Sequence, residues 1–81
     1  MDKVAIVNKM TPVFRSVFEI DDLVLEESQS PKDIDKWDSM THMMLIEELE
    51  KEFGIKFKLM DIDSLDNVGA IISTISSYIN N

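Results

Sequence analysis

The stretch between Asp38 and Gly54 contains both a helix start and a helix stop, and it constrains the fold more than any other part of the chain. Asp38 or Ser39 can cap the first unpaired backbone N–H groups of a helix. Gly54 suits the left-handed conformation with which many helices end. The sequence therefore predicts an amphipathic helix from Asp38 to Phe53. Its apolar face consists of Leu45, Ile46, Leu49 and Phe53.

A second apolar stripe at helical spacing predicts a first helix between about Asp2 and Phe18. Its members are Val7, Met10, Phe14, Val17 and Phe18. Pro12 falls inside this helix, where it lacks the N–H that would bond the carbonyl four residues back. Either the helix continues with a bend, or Thr11 caps a new helix that starts at Pro12. Because Pro12 lies off the apolar stripe and can face solvent, we favour the continuous helix.

The C-terminal part of the chain predicts a short helical turn near Asp61 to Asp66 and then a last helix, for which Asn67 is the cap. The apolar face of the last helix consists of Val68, Ile72, Ile75 and Ile79, widened by Ile71 and Tyr78. These elements predict an all-α fold, a small four-helix bundle with three main helices and one short one. We expect a single domain of residues 1–81, because the chain has no room for a second core.

A long connection separates the first two predicted helices, since Asp21 to Lys36 shows no sustained helical period. Ser30 and Pro31 are typical of a turn within it. A loop of this length in a small domain is usually functional or held by its own apolar residues. The residues expected to hold it are Leu23, Leu25, Ile34 and Trp37.

Charge and composition narrow the class of partners. Sixteen acidic and eight basic residues give a formal net charge of −8, which disfavours nucleic acids and anionic membranes and favours proteins with basic patches. The chain has no cysteine, so disulfides and thiolate metal sites are excluded. The apolar run Val4 to Val7 is too short for a signal peptide, and no stretch reaches the length of a membrane span. We expect a soluble, cytoplasmic monomer that does not insert into membranes.

The tetrapeptide Trp37-Asp38-Ser39-Met40 precedes the acidic helix that ends with Glu-Glu-Leu-Glu-Lys-Glu-Phe-Gly at Gly54. With this combination, the segment from Ile34 to Phe57 resembles the acyl carrier protein family, in its discrete single-domain form, and Val68 to Ile79 resembles it more loosely. The resemblance implies that Ser39 receives 4′-phosphopantetheine from coenzyme A and that Asp38 belongs to the motif recognised by the phosphopantetheinyl transferase. It implies a carrier and not an enzyme.

The resemblance also implies a function, which is to carry acyl intermediates as thioesters between acyl-loading, acyl-transfer or synthase enzymes. Trp37 replaces the small residue usual in fatty-acid carriers, so a specialised pathway is favoured over fatty acid synthesis. Two alternatives stay open. An aminoacyl carrier, for example one for D-alanine, would also fit an Asp-Ser-Met sequence. An unmodified acidic helical interaction module would use Ser39 only as a helix cap.

A partner-binding surface is predicted on the outer side of the second helix. Met40 and Met44 lie opposite its apolar face and should be exposed beside Ser39. With Glu47 and Glu48 they form the expected contact for basic and apolar patches of partner enzymes. Carrier proteins often have acidic residues near the positions of Thr41 and Met44, so the chain departs from the family pattern there.

Two other chemistries do not fit the sequence. His42 follows Ser39 by three residues, but no orienting acid or oxyanion site accompanies them, so we expect His42 to be partly buried and bonded to the backbone. The segment Asp61-Ile62-Asp63 is not a calcium loop, because Leu65 occupies the third ligand position and Asp66 replaces the required glycine. We expect no metal site.

Overall fold

Four α-helices and the loops between them make up the part of the chain that the computed structural model describes, residues 1–80. The helices are α1 (Lys3–Phe18), α2 (Ser39–Phe53), α3 (Leu59–Ile62) and α4 (Val68–Ile79). No β-strand occurs in residues 1–80, so the predicted all-α four-helix fold is confirmed. None of the helices in this range is both long enough and apolar enough to cross a lipid bilayer.

A single hydrophobic core forms where α1 packs against α2 and α4. Each main helix buries one apolar face, as the helical spacing predicts. The buried helix residues are Ile6, Met10, Phe14, Val17, Phe18, Leu45, Ile46, Leu49, Val68, Ile71, Ile72 and Ile75. The prediction that Val7 belongs to the apolar face is wrong in detail. Val7 is only half-buried at the edge of the core, and its neighbour Ile6 is buried instead.

The first helix runs without interruption through Pro12, which confirms the continuous alternative. Pro12 is exposed, so its ring does not disturb the core. Asp2 caps the N-terminus by accepting a 2.9 Å hydrogen bond from the backbone N–H of Ala5. At the other end Glu19 adopts a left-handed conformation with φ of 57°, a position usually taken by glycine.

The loop between α1 and α2 is held against the core by its own side chains. Ile34 and Trp37 are buried, and Leu23 and Leu25 pack partly against the same cluster, as predicted. Arg15 of α1 fixes the near end, because its Nε donates a 2.8 Å hydrogen bond to the carbonyl oxygen of Leu23. The predicted turn at Ser30 is closed by a 2.9 Å backbone hydrogen bond from Asp33.

The same loop also provides hydrogen-bond acceptors for the first backbone N–H groups of α4. The backbone N–H groups of Val68 and Gly69 donate 2.9 Å hydrogen bonds to the carbonyl oxygens of Gln29 and Glu27. A Cβ atom at position 69 would lie 3.1 Å from that carbonyl oxygen of Glu27, so glycine permits the close approach. Asn67 accepts a 2.7 Å hydrogen bond from the third N–H of the helix, which confirms it as the cap. Loop and helix are therefore joined through backbone atoms.

The short helix is the element that the sequence placed wrongly. It was expected near Asp61 to Asp66, and it spans Leu59–Ile62. The helix has no side-chain cap of its own, and the backbone N–H of Lys58 instead donates to the hydroxyl of Tyr78 (2.9 Å). Beyond the helix the chain turns so that Leu65 reaches the core, where it is buried. Because the hydrogen-bond partner at the start of α3, Tyr78, is far away in the sequence, no local pattern signals where this helix begins.

Candidate functional site

The N-terminus of α2 is closed by a reciprocal capping arrangement between Asp38 and Thr41. Oδ1 of Asp38 accepts a 2.9 Å hydrogen bond from the backbone N–H of Thr41, and the backbone N–H of Asp38 donates to the Thr41 hydroxyl oxygen (2.9 Å). That hydroxyl in turn donates a 2.6 Å hydrogen bond to the carbonyl oxygen of Lys36. Between the two possible caps that the sequence offered, the fold uses Asp38.

Ser39 is the first residue of α2, and the capping by Asp38 leaves its hydroxyl free. The side chain is exposed, and no residue in the range 1–80 forms a hydrogen bond with Ser39 Oγ. The hydrogen bond from the Thr41 backbone N–H lowers the pKa of the neighbouring Asp38, so this carboxylate is charged at neutral pH. An unengaged hydroxyl beside a fixed negative charge thus projects from the start of the helix.

An open groove of about 850 Å³ begins at Ser39 and runs between the start of α2, the end of the α1–α2 loop and the segment that joins α3 to α4. Its apolar wall contains the buried Trp37 and Leu65 and the half-buried Ile62. The remaining lining residues are Ser30, Pro31, Lys32, Asp38, His42, Met43, Asp63 and Asp66. A groove with an apolar wall and a polar rim suits a long, flexible group that alternates amides with methylene units.

His42 lines the same groove and is held by Trp37. The indole Nε1–H donates a 2.9 Å hydrogen bond to His42 Nδ1, and the planes of the two rings are 24° from parallel. Because an indole nitrogen can only donate, Nδ1 is the acceptor and the proton of the neutral ring is on Nε2. Burial lowers the pKa of His42, and the charge of Asp66 opposes that shift. The expected bond to the backbone is wrong, since the partner is a side chain that precedes the helix.

This arrangement removes the possibility that His42 activates Ser39 as a nucleophile. Nδ1 already accepts from the indole, and Nε2 carries a proton, so neither nitrogen is free to receive the serine proton. Among residues 1–80 there is also no cluster of three or more side chains suited to hold a metal ion. The site therefore presents an exposed serine hydroxyl beside a histidine with no nitrogen free to take its proton.

The outer side of α2 exposes the four residues predicted as the partner surface. Met40 is 75% exposed and Met44 is 48% exposed, and Glu47 and Glu48 face solvent. Glu48 lies 3.3 Å from Lys51, one turn further along the helix. Met43, beside the groove, is half-exposed, whereas Ile46 is buried in the core. The fold thus presents methionine and glutamate side chains on the outer side of the helix that starts at Ser39.

Comparison with known proteins agrees with this description. A protein-family model described as a phosphopantetheine attachment site matches residues 9–75. The solution NMR structure of the holo acyl carrier protein from Geobacter metallireducens superposes with a TM-score of 0.85 at 40% sequence identity, covering 91% of this chain and 85% of that one. A protein of Mycobacterium tuberculosis described as an acyl carrier protein has a TM-score of 0.81 at 22% identity, covering 91% and 99% of the two chains, and shows the shared fold. No curated protein sequence matched significantly.

Fold and site define a carrier protein, one that is modified by other proteins and has no catalytic activity of its own. The chain belongs to the phosphopantetheine-binding acyl carrier protein family, which confirms the resemblance. Its prosthetic group is a covalently attached 4′-phosphopantetheine, which ends in a thiol. The cysteine-free sequence agrees with this, because the chain has no thiol to offer. Carriers of this family interact with phosphopantetheinyl transferases and acyl-processing enzymes.

Proposed function

We propose that this protein carries acyl intermediates as thioesters on a phosphopantetheine arm attached to Ser39 Oγ. The supporting observation is that Asp38, and not Ser39, caps the start of α2. Asp38 caps the helix together with Thr41, and the adjacent serine hydroxyl is exposed without a partner among the described residues. A serine that served only as a cap would have its oxygen engaged with the backbone.

Attachment requires a nucleophilic displacement at phosphorus. Ser39 Oγ attacks the phosphorus of coenzyme A that bears pantetheine, a new O–P bond forms, and the phosphoanhydride bond breaks so that the adenosine bisphosphate half leaves. The serine proton passes to a base on the transferase, which also supplies Mg²⁺, since neither ring nitrogen of His42 is free to accept that proton. Asp38 contributes a charged carboxylate next to the reacting oxygen and is the proposed recognition residue for the transferase.

The partner enzymes are proposed to dock on the outer side of α2. Met40 and Met44 provide adaptable apolar contacts, and Glu47 and Glu48 provide charges for basic patches. The net charge of −8 favours the same class of partner. Because these residues lie on the helix that starts at Ser39, docking would bring the attachment point close to the partner's active site.

We favour a specialised biosynthetic pathway in the cytoplasm, where coenzyme A and the modifying transferase are available, over bulk fatty acid synthesis. The observation behind this preference is Trp37. Its ring is buried against Phe14 and Phe18 and bonded to His42, so the departure from a small residue is built into the core. A pathway-specific carrier can maintain such a feature next to its attachment site.

Intact mass spectrometry tests the attachment. The protein is incubated with coenzyme A, Mg²⁺ and a broad-specificity phosphopantetheinyl transferase, in parallel with Ser39→Ala and with Ser16→Ala, which removes an exposed hydroxyl from α1. We expect the parent and Ser16→Ala to gain one phosphopantetheine and Ser39→Ala to gain none. No gain in a folded parent, repeated with the transferase of its own host, would favour the unmodified interaction module.

An aminoacyl carrier is the second candidate, and one feature of the groove favours it. Asp63 and Asp66 line the groove beside Ser39, together with a single cation, Lys32. These carboxylates would attract the ammonium group of an aminoacyl thioester, which an ordinary acyl group lacks. The mass of the species released from the thiol after purification from the native host distinguishes the two. An amino acid there would reject the acyl assignment.

A further inference from the structure

The groove beside Ser39 contains a hydrogen-bond donor whose acceptor is not provided by the fold. His42 Nε2 carries the ring proton, because Nδ1 accepts from Trp37. No residue in the range 1–80 accepts a hydrogen bond from this N–H, and no buried side-chain nitrogen or oxygen in that range lacks a partner. The Nε2–H group is therefore open to solvent, held in one tautomer and in one ring orientation.

Ser39 and His42 are neighbours on the surface of α2. Residues three apart in a helix have Cβ atoms about 5–6 Å from each other, and both of these side chains line the same groove. A tetrahedral group on Ser39 Oγ would extend its oxygen atoms from this point. The carboxylate of Asp38 forms no hydrogen bond with His42, and its Oδ1 accepts from the backbone N–H of Thr41.

We propose that His42 Nε2–H donates a hydrogen bond to a phosphodiester oxygen of the group on Ser39 and thereby directs the arm along the groove between Met43 and Ile62. His42 is then a positioning residue, and Trp37 acts through it by fixing the tautomer. The inference rests on the proposed attachment at Ser39 and adds a specific contact to it. Its chemical requirement is an anionic oxygen acceptor, which the phosphodiester supplies and the free serine does not.

The charges around His42 determine in which direction its pKa should change when Ser39 is modified. Before modification, burial lowers the pKa of His42 and Asp66 of the α3–α4 segment raises it. The other charged groups that line the groove are Asp38, Asp63 and Lys32. A phosphodiester adds one negative charge within hydrogen-bond distance of Nε2 and stabilises the charged imidazolium, so modification should raise the pKa of His42.

NMR spectroscopy on the intact protein can follow this contact without ambiguity, because the chain has one histidine and one tryptophan. The unmodified and the modified protein, both carrying ¹⁵N-labelled histidine, are titrated with pH. The ³¹P resonance of the modified protein is followed over the same pH range. We expect the His42 pKa to rise by roughly half a unit or more on modification. The ³¹P shift should titrate with the same midpoint, and Nε2–H should exchange more slowly with solvent.

Two variants separate positioning from packing. In His42→Gln the amide oxygen can accept from Trp37 and the amide N–H can donate to the phosphodiester, so the ³¹P shift should stay near that of the parent but lose its titration. In His42→Leu the donor is absent, so the ³¹P resonance should move and the arm should become more mobile by ³¹P relaxation. Circular dichroism and thermal unfolding verify that each variant is folded.

The outcomes separate this inference from the proposed function. The proposal is overturned, and the attachment stands, if the mass shows one phosphopantetheine on Ser39 but two quantities do not change. These are the His42 pKa between the unmodified and the modified protein, and the ³¹P shift between the modified parent and modified His42→Leu. If Ser39 gains no mass, the attachment fails and the contact fails with it. Equal ³¹P shifts and relaxation in the parent and His42→Leu would also reject the contact, since a packing role for His42 does not act on the phosphorus.

Discussion

The hydroxyl of Tyr78 in α4 lies 2.5 Å from Oδ2 of Asp61 in α3 and donates a hydrogen bond to that carboxylate. The hydroxyl oxygen of Tyr78 also accepts a 2.9 Å hydrogen bond from the backbone N–H of Lys58, and its ring packs edge-on against Phe57 with the ring centroids 5.6 Å apart. The hydrogen bond to Asp61 raises the pKa of Tyr78, so the hydroxyl stays protonated well above neutral pH. A helix of only four residues is thus held in place by a residue seventeen positions away from Asp61.

The substitution Tyr78→Phe should loosen α3 and leave the rest of the bundle folded. It removes both hydrogen bonds of the hydroxyl but keeps the ring against Phe57. We expect faster amide hydrogen exchange at Asp61, Ile62 and Asp63, with little change in α1. Asp61→Asn, which keeps an acceptor oxygen, serves as the milder control. Equal exchange rates in the parent and Tyr78→Phe would show that α3 is held by its apolar contacts alone.

The stability of the unmodified protein should fall as the pH drops below about 6.5, before most carboxylates titrate. The pKa of His42 is lower in the folded chain than in the unfolded one, mainly through burial, and protonation of Nδ1 would break the bond from Trp37. The stabilisation from neutral His42 is therefore complete above the unfolded pKa and is lost as pH falls through the folded pKa. Urea unfolding between pH 7 and 5 measures this dependence. His42→Gln should flatten the slope, and an unchanged slope in that variant would assign it to other groups.

The substitution Thr41→Ala should destabilise the start of α2 by about 1 kcal/mol, because it removes the hydroxyl that bridges Asp38 and Lys36. Thr41→Ser keeps this hydroxyl and should behave like the parent. Denaturant unfolding measures the change, and the rate of phosphopantetheine transfer to Ser39 should fall with it, since the attachment residue lies within the capping box. A Thr41→Ala protein with parental stability would show that Asp38 caps α2 without the threonine side chain.

Reversing the charges of Glu47 and Glu48 together to Lys should weaken binding to a cognate enzyme roughly tenfold and reduce the dependence of binding on salt. Both side chains face solvent on α2, so the fold should tolerate the change. Asp21→Lys with Asp22→Lys alters the net charge equally at two exposed loop positions and is the control. Binding by calorimetry at several ionic strengths provides the measurement. Equal weakening by both double variants would indicate a general charge effect and no specific docking on α2.

Substitutions at the C-termini of α1 and α2 should change the stability of the protein in opposite directions, because both positions have a positive φ. Glu19 and Gly54 both have positive φ, 57° and 64°. Glu19→Gly should stabilise the protein by roughly 1 kcal/mol, because glycine adopts this conformation without the cost of a Cβ atom. Gly54→Ala should destabilise it by a similar amount, although no atom lies within 4 Å of the added methyl group. Thermal unfolding compares the two, and a loss of stability in Glu19→Gly would point to contacts of the Glu19 side chain.

The three long helices follow from features that are local in the sequence. The caps Asp38 and Asn67 and the stop at Gly54 act within one turn of the helices that they bound, and the apolar stripes repeat at helical spacing. For this reason the elements and the exposure of Met40 and Met44 could be predicted from these patterns, whereas Ser39 became the candidate attachment residue through the family resemblance.

Tertiary structure decided what depends on residues that are distant in the chain or on a choice between equivalent groups. Only packing shows that α3 starts at Leu59, because its anchor is Tyr78, and that His42 is bonded to Trp37. Only the geometry at the start of α2 shows that Asp38 takes the cap and leaves the Ser39 hydroxyl free. The physical reason is that hydropathy and capping patterns describe bonds within one turn, whereas a hydrogen bond between elements exists only after the core has brought them together.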